Sequence, residues 1–297
     1  MADVKQKAGI SPEYQPADVN KKLAEYYNRM DGMYELLWGN KTLGYHLGFW
    51  ESGVKNHHQA IFMENRRVAD ALQLEKTDTV LDAGCGICGT ALWMAENYGS
   101  KVTGITLTEQ QVKRAGLHAK RRNLEGLVKA EIMDFCKMSF PDGSFTKVFG
   151  IESICCAHSK RDFVREAFRV LKPGGRLVVA DGFIPTKDMK PEDEKKYREF
   201  CYGLGLPDLA TIADFKRYLE EAGFTEIKTE DRTKDTLRSA RIIKRLNIPF
   251  YPPFKVLCTL KILPELYLDD TVACLRQYDV LAEGIGKYIV FSAKKPE

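Results

Sequence analysis

Val80-Leu81-Asp82-Ala83-Gly84-Cys85-Gly86-Ile87-Cys88-Gly89-Thr90 is the stretch whose reading decides the fold. Thr79, Val80 and Leu81 read as the end of a buried strand, Asp82 closes it, three glycines follow, and Thr90-Ala-Leu-Trp-Met-Ala opens a helix. A strand, a glycine turn and a helix amino terminus together make a nucleotide site. Gly84 and Gly86 let the backbone turn tightly and approach a ligand, while Gly89 lets helix and strand pack at short range.

The carboxylate of Asp82 separates two readings of these glycines. Gly84-x-Gly86-x-x-Gly89 fits the dinucleotide fingerprint, in which a helix amino terminus attracts a pyrophosphate. An acid just before the first glycine repels a pyrophosphate and suits a cation. The methionine end of S-adenosylmethionine, with its ammonium and sulfonium, is such a cation. Glycine-rich turns also occur simply to pack a helix on a strand, so the remainder of the chain has to decide.

With 297 residues, 44% hydrophobic and 29% charged, the chain can bury a full core, as one large domain or a domain with an inserted cap. A net charge of +4 does not imply a polyanion partner. The local run Lys113, Arg114, Lys120, Arg121, Arg122 reads as a solvated helix face, so no nucleic acid is expected. Met1 to Pro16 is polar and no stretch reaches bilayer-spanning length, which predicts a cytoplasmic protein and leaves peripheral membrane contact open. The eight cysteines show no secreted disulfide spacing. Cys85-x-x-Cys88 matches a redox motif or a zinc half-site, but no second pair completes it, and no metal is expected.

Residues 17 to 38 carry apolar side chains at Val19, Leu23, Tyr26, Met30, Met33 and Leu37, the spacing of an amphipathic helix whose aromatics (Tyr26, Tyr27, Tyr34, Trp38) suit core packing. Leu43-Gly-Tyr-His-Leu-Gly-Phe-Trp50 is too short and too glycine-rich for a helix. It is either a site lining or a buried turn with a satisfied His46. His57 to Leu74 predicts a helix leading into the central strand. Then strands (Lys101–Thr106, Val128–Met133, Lys147–Glu152, Arg176–Asp181) alternate with helices (Glu109–Asn123, Arg161–Leu171, the latter stopped by Pro173-Gly174-Gly175). Such alternation predicts a parallel, doubly wound α/β sheet that binds ligands at the carboxyl ends of its strands.

From Pro185 the composition changes. A helix is expected over Ile212–Ala222, strand six at Thr225–Glu230 and a last strand at Lys287–Ala293. Between the last two, residues 231 to 279 read as helices broken by Pro249-Phe-Tyr-Pro-Pro-Phe254, a lid over the sheet edge. The expected organisation is an N-terminal helical cap (1–56), a core (57–184), lid helices with strand six (185–230), a helical substrate cap (231–284) and a terminal core strand (285–297).

Asp82-x-Gly84-x-Gly86, then Asp134-Phe135, Ile151-Glu152-Ser153 and Leu171-Lys-Pro-Gly-Gly-Arg-Leu177 resemble the class I S-adenosylmethionine-dependent methyltransferases, in that order. Tyr45-His46-x-Gly48-x-Trp50 after an aromatic helix, Gly104-Ile-Thr-Leu-Thr-x-x-Gln111 and the Ile151-Glu152-Ser153 strand end are similar to the branch holding sterol and tocopherol methyltransferases and, more distantly, cyclopropane fatty acid synthases. The likeness runs from about Tyr26 to Phe224 and includes the terminal strand, while residues 231 to 279 have no match in it. It implies a seven-stranded Rossmann-like sheet with S-adenosylmethionine as cofactor. Asp82, Gly84, Cys85 and Gly86 would hold the methionine part, with Tyr45 and His46 closing over it. Ile105-Thr106-Leu107 stands where many class I enzymes place a ribose-binding acid; the resemblance implies that Thr106 and the later Gln111 do that work as hydrogen-bond partners. Leu107, Asp134 and Phe135 would surround the adenine, and Glu152 completes the cofactor set.

Departures matter too. Cys155 and Cys156 stand where the relatives carry Glu-His or a histidine, and this removes the acid that cyclopropane formation needs. Glu152, His158 and Tyr45 are the catalytic candidates, although His158 beside Ser159-Lys160-Arg161 is equally a capping or surface residue. Trp50, Cys155, Phe183, Tyr202 and Tyr278 are assigned to the acceptor. Lid aromatics favour a small lipophilic acceptor methylated at carbon, isoprenoid, sterol-like or aromatic; methylation of an amine, quinol or other natural product at nitrogen or oxygen is the alternative. A catalytically silent S-adenosylmethionine-binding protein is the reading from another class.

Overall fold

The computed structural model describes residues 16–34 and 42–297, so Leu37 and Trp38 of the expected first helix lie outside the described residues. Helix α1 spans Pro16–Tyr34 and buries Val19, Leu23, Tyr26 and Met30, the apolar stripe expected from their spacing. A loop carries residues 42 to 56. Asn56 then caps α2 (His57–Leu72) by accepting from the Gln59 amide.

The core follows as β1 (Thr79–Ala83), α3 (Gly89–Tyr98), β2 (Lys101–Thr106), α4 (Glu109–Arg121), β3 (Val128–Ile132), β4 (Phe145–Ile151), a 3-10 turn (Ile154–Cys156), α5 (Lys160–Val170) and β5 (Leu171–Phe183). After it come α6 (Pro191–Gly203), α7 (Ile212–Ala222), β6 (Thr225–Asp231), α8 (Thr233–Asn247), α9 (Tyr251–Thr259), α10 (Glu265–Ala282) and β7 (Lys287–Lys294). The seven strands form one sheet in the order β3-β2-β1-β4-β5-β7-β6. It is a doubly wound Rossmann-like sheet, as expected, but not a wholly parallel one. The five strands β1 to β5 are parallel, and β7 runs antiparallel to both β5 and β6. The reason is the helical insertion α8–α10, which delivers the chain to the carboxyl end of β5, where Lys287 pairs with Phe183.

Two boundaries differ from the sequence reading. Helix α5 ends at Val170, before Pro173-Gly174-Gly175, and β5 already begins at Leu171; a register shift between Phe145 and Lys147 takes up the extra residues. Pro252 and Pro253 do not only interrupt α8. After a 3-10 turn at Ile248–Phe250 they open α9, because proline is tolerated in a first helical turn whose amides have no partner anyway.

Hydrophobic layers cover both sheet faces. One gathers Val80, Leu92, Val102 and Phe149 with Leu47 and Phe49 of the loop, and the other gathers Leu81, Val148, Phe163, Leu177 and Phe215. A third cluster joins α1 to α6, the loop after it and α10 through Leu23, Tyr197, Phe200, Leu206 and Val280. It roofs the carboxyl edge of the sheet.

Candidate active site

Between the sheet's carboxyl edge and that roof lies a cavity of about 450 Å³. Its floor is the turn after β1, where Gly84 and Gly86 have φ of 90° and 51° and the Gly84 and Cys85 amides both donate to the Ile105 carbonyl at 3.0 Å. A Cβ on Gly84 would stand 2.4 Å from Cβ of Ser153. Only glycine fits there. Cys85 and Cys88 pack their thiols over Gly104, where a Cβ would meet both sulfurs within 3.0 Å. The Cys-x-x-Cys spacing thus has a packing explanation on β2.

Asp82 faces this cavity with 4% exposure, and burial pushes its carboxyl up to about 8. It makes no hydrogen bond or ion pair among the described residues. A buried carboxyl with no partner of its own is suited to a cationic ligand, whose charge would offset the desolvation.

At the end of β2, Thr106 donates to Gln111, and Thr108 caps α4 by accepting from the Gln111 amide, which fixes Gln111 against the strand. This strand end carries no acid. Leu107, Asp134 and Phe135 line the same side. Asp134 accepts from the Asn20 side chain and the Cys136 amide, both at 2.8 Å, so α1 is tied directly to the expected adenine position.

Tyr45 and His46 line the cavity from the loop. Nδ1 of His46 lies 2.6 Å from Oε2 of Glu64, a fully buried α2 residue that also accepts from the Gly48 amide and from the Tyr288 hydroxyl at 2.5 Å. Glu64 therefore fastens the loop to β7. Glu152 adopts φ 46°, an uncommon conformation for a residue with a side chain, and accepts from the Leu47 amide at 2.6 Å. Burial and then the neighbouring Glu64 push its carboxyl well up.

These residues fit S-adenosylmethionine: a buried acid for its cation, a turn cleared of Cβ atoms, and an uncharged strand end for hydroxyl groups. The acceptor assignments fare differently. Cys155 and Phe183 line the cavity, though Phe183 also packs on Phe215 and Phe291 at 5.0 and 5.1 Å between ring centres. Trp50, Tyr202 and Tyr278 do not line it. Trp50 donates to Ser239 at 2.8 Å under the Arg238 guanidinium, Tyr278 lies against Arg241 and Lys244, and Tyr202 is solvent-exposed. His158 also stands outside the lining, with Nε2 3.2 Å from Oδ2 of Asp134. Asp134, Cys136 and His158 are the one group of metal-type donors that converges among the described residues, within 4.8 Å; burial pushes the Cys136 thiol up to about 12.

Tyr26, Tyr27 and Tyr34 of α1 line the cavity, as does Asp270 of α10. Asp270 accepts from Tyr26 at 2.5 Å and from Tyr34 at 2.7 Å. Their helical spacing reads equally well as core, and Asp270 lies in a segment no motif covers. Asp181, 1% exposed, also lines the cavity and accepts from the Cys155 and Gly182 amides.

Residues 81–179 match the family model described as a methyltransferase domain. Norajmaline N-methyltransferase of Rauvolfia serpentina is 32% identical over 238 residues, covering 74% of this chain and 80% of the relative. The 24-methylenesterol C-methyltransferase 3 of Arabidopsis thaliana is 31% identical over 213 residues, 70% of this chain and 58% of that protein. The solved geranyl diphosphate C-methyltransferase of Streptomyces coelicolor A3(2) superposes with a TM-score of 0.72 at 18% identity, covering 95% of this chain and 100% of that one, which shows a shared fold. The chain belongs to the S-adenosylmethionine-dependent methyltransferases and is an enzyme of that class. No helix among the described residues is long and apolar enough to cross a membrane.

Proposed function

We propose that the enzyme transfers the methyl group to a lipophilic small molecule that carries no phosphate, at an olefinic or electron-rich carbon. One observation carries this reading. Among the described residues the cavity is lined mainly by apolar and aromatic side chains and by five carboxylate residues, Asp82, Asp134, Glu152, Asp181 and Asp270, with Lys287 as the sole lysine or arginine. Lys287 itself lies 3.5 Å from Asp231. A diphosphate acceptor such as that of the Streptomyces coelicolor enzyme, solved with Mg2+, would need a clamp of cationic side chains or of a carboxylate-held metal, and the one converging donor group among the described residues, Asp134, Cys136 and His158, has a thiol and an imidazole where Mg2+ prefers oxygen. The sterol substrate named for the Arabidopsis relative has no such need.

Bound S-adenosylmethionine supplies a methyl group already activated on a sulfonium. The chain has to align acceptor and donor, exclude water and favour the developing charge distribution. In this reading Asp82 and the Gly84–Gly86 turn hold the methionine part, Thr106 and Gln111 take the ribose hydroxyls, and Asp134, Leu107 and Phe135 hold the adenine. Tyr45 and His46 close the site. Tyr27, Tyr45 and Tyr288 line the cavity, and an aromatic face turned to a cationic carbon is worth ~0.5–2 kcal/mol. Of the two expected bases, Glu152 alone lines the cavity, so proton removal after alkylation falls to it; a carboxylate with a raised pKa is the stronger base once ionised.

A lipophilic amine is the second reading. It is favoured by Asp270, a buried acid at the lid end of the cavity, and by the Rauvolfia relative, named as an N-methyltransferase. Transfer of labelled methyl from S-adenosylmethionine to sterols, free isoprenoids, their diphosphates, quinols and lipophilic amines tests both. Labelled free isoprenoid or sterol with untouched diphosphate is the expected result. A product from the diphosphate alone would overturn the proposal.

A further inference from the structure

The insertion carries an apolar surface most of which lies outside the cavity lining. Leu246, Ile248, Phe250, Val256, Leu260 and Ile262 are all exposed, from 41% at Phe250 to 64% at Ile262. They fall within one run of 17 residues covering the end of α8, the 3-10 turn, α9 and the loop after it. On α9 the exposed stripe Pro252, Val256, Leu260 repeats every four residues, while Phe254 and Cys258 turn inward, Phe254 against Tyr267 at 6.3 Å. Soluble surfaces seldom gather so many large apolar side chains in one place without a partner.

Charge says what covers it. Between Arg241 and Pro264 there are five basic residues and no acid. Lys244 is paired with Asp279, and Arg241 reaches the Tyr278 hydroxyl, whereas Arg245, Lys255 and Lys261 are exposed and make no ion pair among the described residues. Exposed apolar side chains interspersed with unpaired cations along one run complement a surface with negative headgroups over hydrocarbon. The patch also meets the cavity, since Leu246 and Phe250 belong to both. We infer that α9 and its flanking turns dock on an anionic phospholipid bilayer, so that a membrane-dissolved acceptor enters the cavity past Leu246 and Phe250. The entry route rests on the lipophilic-acceptor reading; the docking surface does not.

Flotation of the full chain with vesicles of phosphatidylcholine alone, and of phosphatidylcholine mixed with phosphatidylserine, tests the docking directly. Binding to the mixed vesicles is expected, weakening as salt is raised. The double variant Leu260→Glu/Ile262→Glu should lower that binding by about 10-fold or more while leaving the affinity for S-adenosylmethionine unchanged, since neither residue lines the cavity. A Lys255→Glu/Lys261→Glu variant should lose the salt-sensitive part. The inference fails if neither vesicle binds, if both bind equally, if the variants bind as wild type, or if they instead abolish self-association of the free protein. Vesicle binding without methylation of any lipophilic acceptor would sink the acceptor reading and leave the surface standing.

Discussion

At the scale of single residues, Asp82 is the group with most at stake. Its carboxyl is buried without a partner and pushed up to about 8, so the ligand-free protein holds it as a neutral acid at pH 7. A cation beside it would reverse that preference. Asp82→Asn keeps the shape and the burial but removes the charge. Calorimetry should show cofactor affinity falling by about 100-fold, in line with a charge-assisted contact in a low-dielectric site. Thermal melting of the ligand-free variant should be at or above that of wild type, because the amide avoids the cost of protonating, on folding, a carboxyl that is ionised in the unfolded chain. A variant that binds as tightly as wild type would remove Asp82 from the cofactor site. The contrast with Glu152 is instructive. Burial raises its carboxyl too, but the Leu47 amide already holds it, so its position serves the loop as well as the cavity.

At the scale of elements, the site depends on how α1 is held over the sheet. Asn20 ties it to Asp134, and Tyr26 and Tyr34 both donate to Asp270 on α10. Asp270→Ala would leave the Tyr26 and Tyr34 hydroxyls only each other as partner, so that one donor loses its acceptor, at ~1–3 kcal/mol. Hydrogen exchange should then rise across Pro16–Tyr34 while β1 to β5 keep their protection. Equal loss throughout the sheet would show that α1 is not a separately opening unit. The alternating strands and helices, the β1 turn and the neutral end of β2 were legible in the sequence because each is a local pattern. The antiparallel β7 was not, because its direction depends on where a long insertion returns the chain. Nor was the division of the aromatics: Tyr27 and Trp50 look alike as residues, and only packing turns one into the cavity and the other under Arg238. Asp270 had no motif around it, and the two tyrosines it accepts from lie more than two hundred positions away.

At the scale of the whole molecule, cofactor binding is linked to pH through two groups of opposite kind. The Asp82 carboxyl sits at about 8 in the ligand-free protein, and an α-amino group such as that of the cofactor titrates near ~7.8. The favoured complex pairs carboxylate with ammonium. Below about pH 8 the acid must lose a proton before it can pair, and above it the amine must gain one. Affinity should therefore peak near pH 8 and fall on both sides. Binding should release protons at pH 7 and take them up at pH 9, as read by calorimetry in buffers of different ionisation enthalpy. Stability of the ligand-free protein follows the same linkage. A raised Asp82 pKa means that the folded chain holds more protons than the unfolded one from about pH 4 to 8, so stability falls with pH across that window. Half-buried His57, held down at about 3 by desolvation, opposes this fall only up to about pH 6.5, where the unfolded imidazole also becomes neutral. From about pH 7 to 8 the wild-type melting temperature should thus decline relative to Asp82→Asn, and saturating cofactor should abolish the difference for wild type. Proton release unchanged in sign from pH 7 to 9 would mean that the cofactor's ammonium is not the partner of this carboxylate.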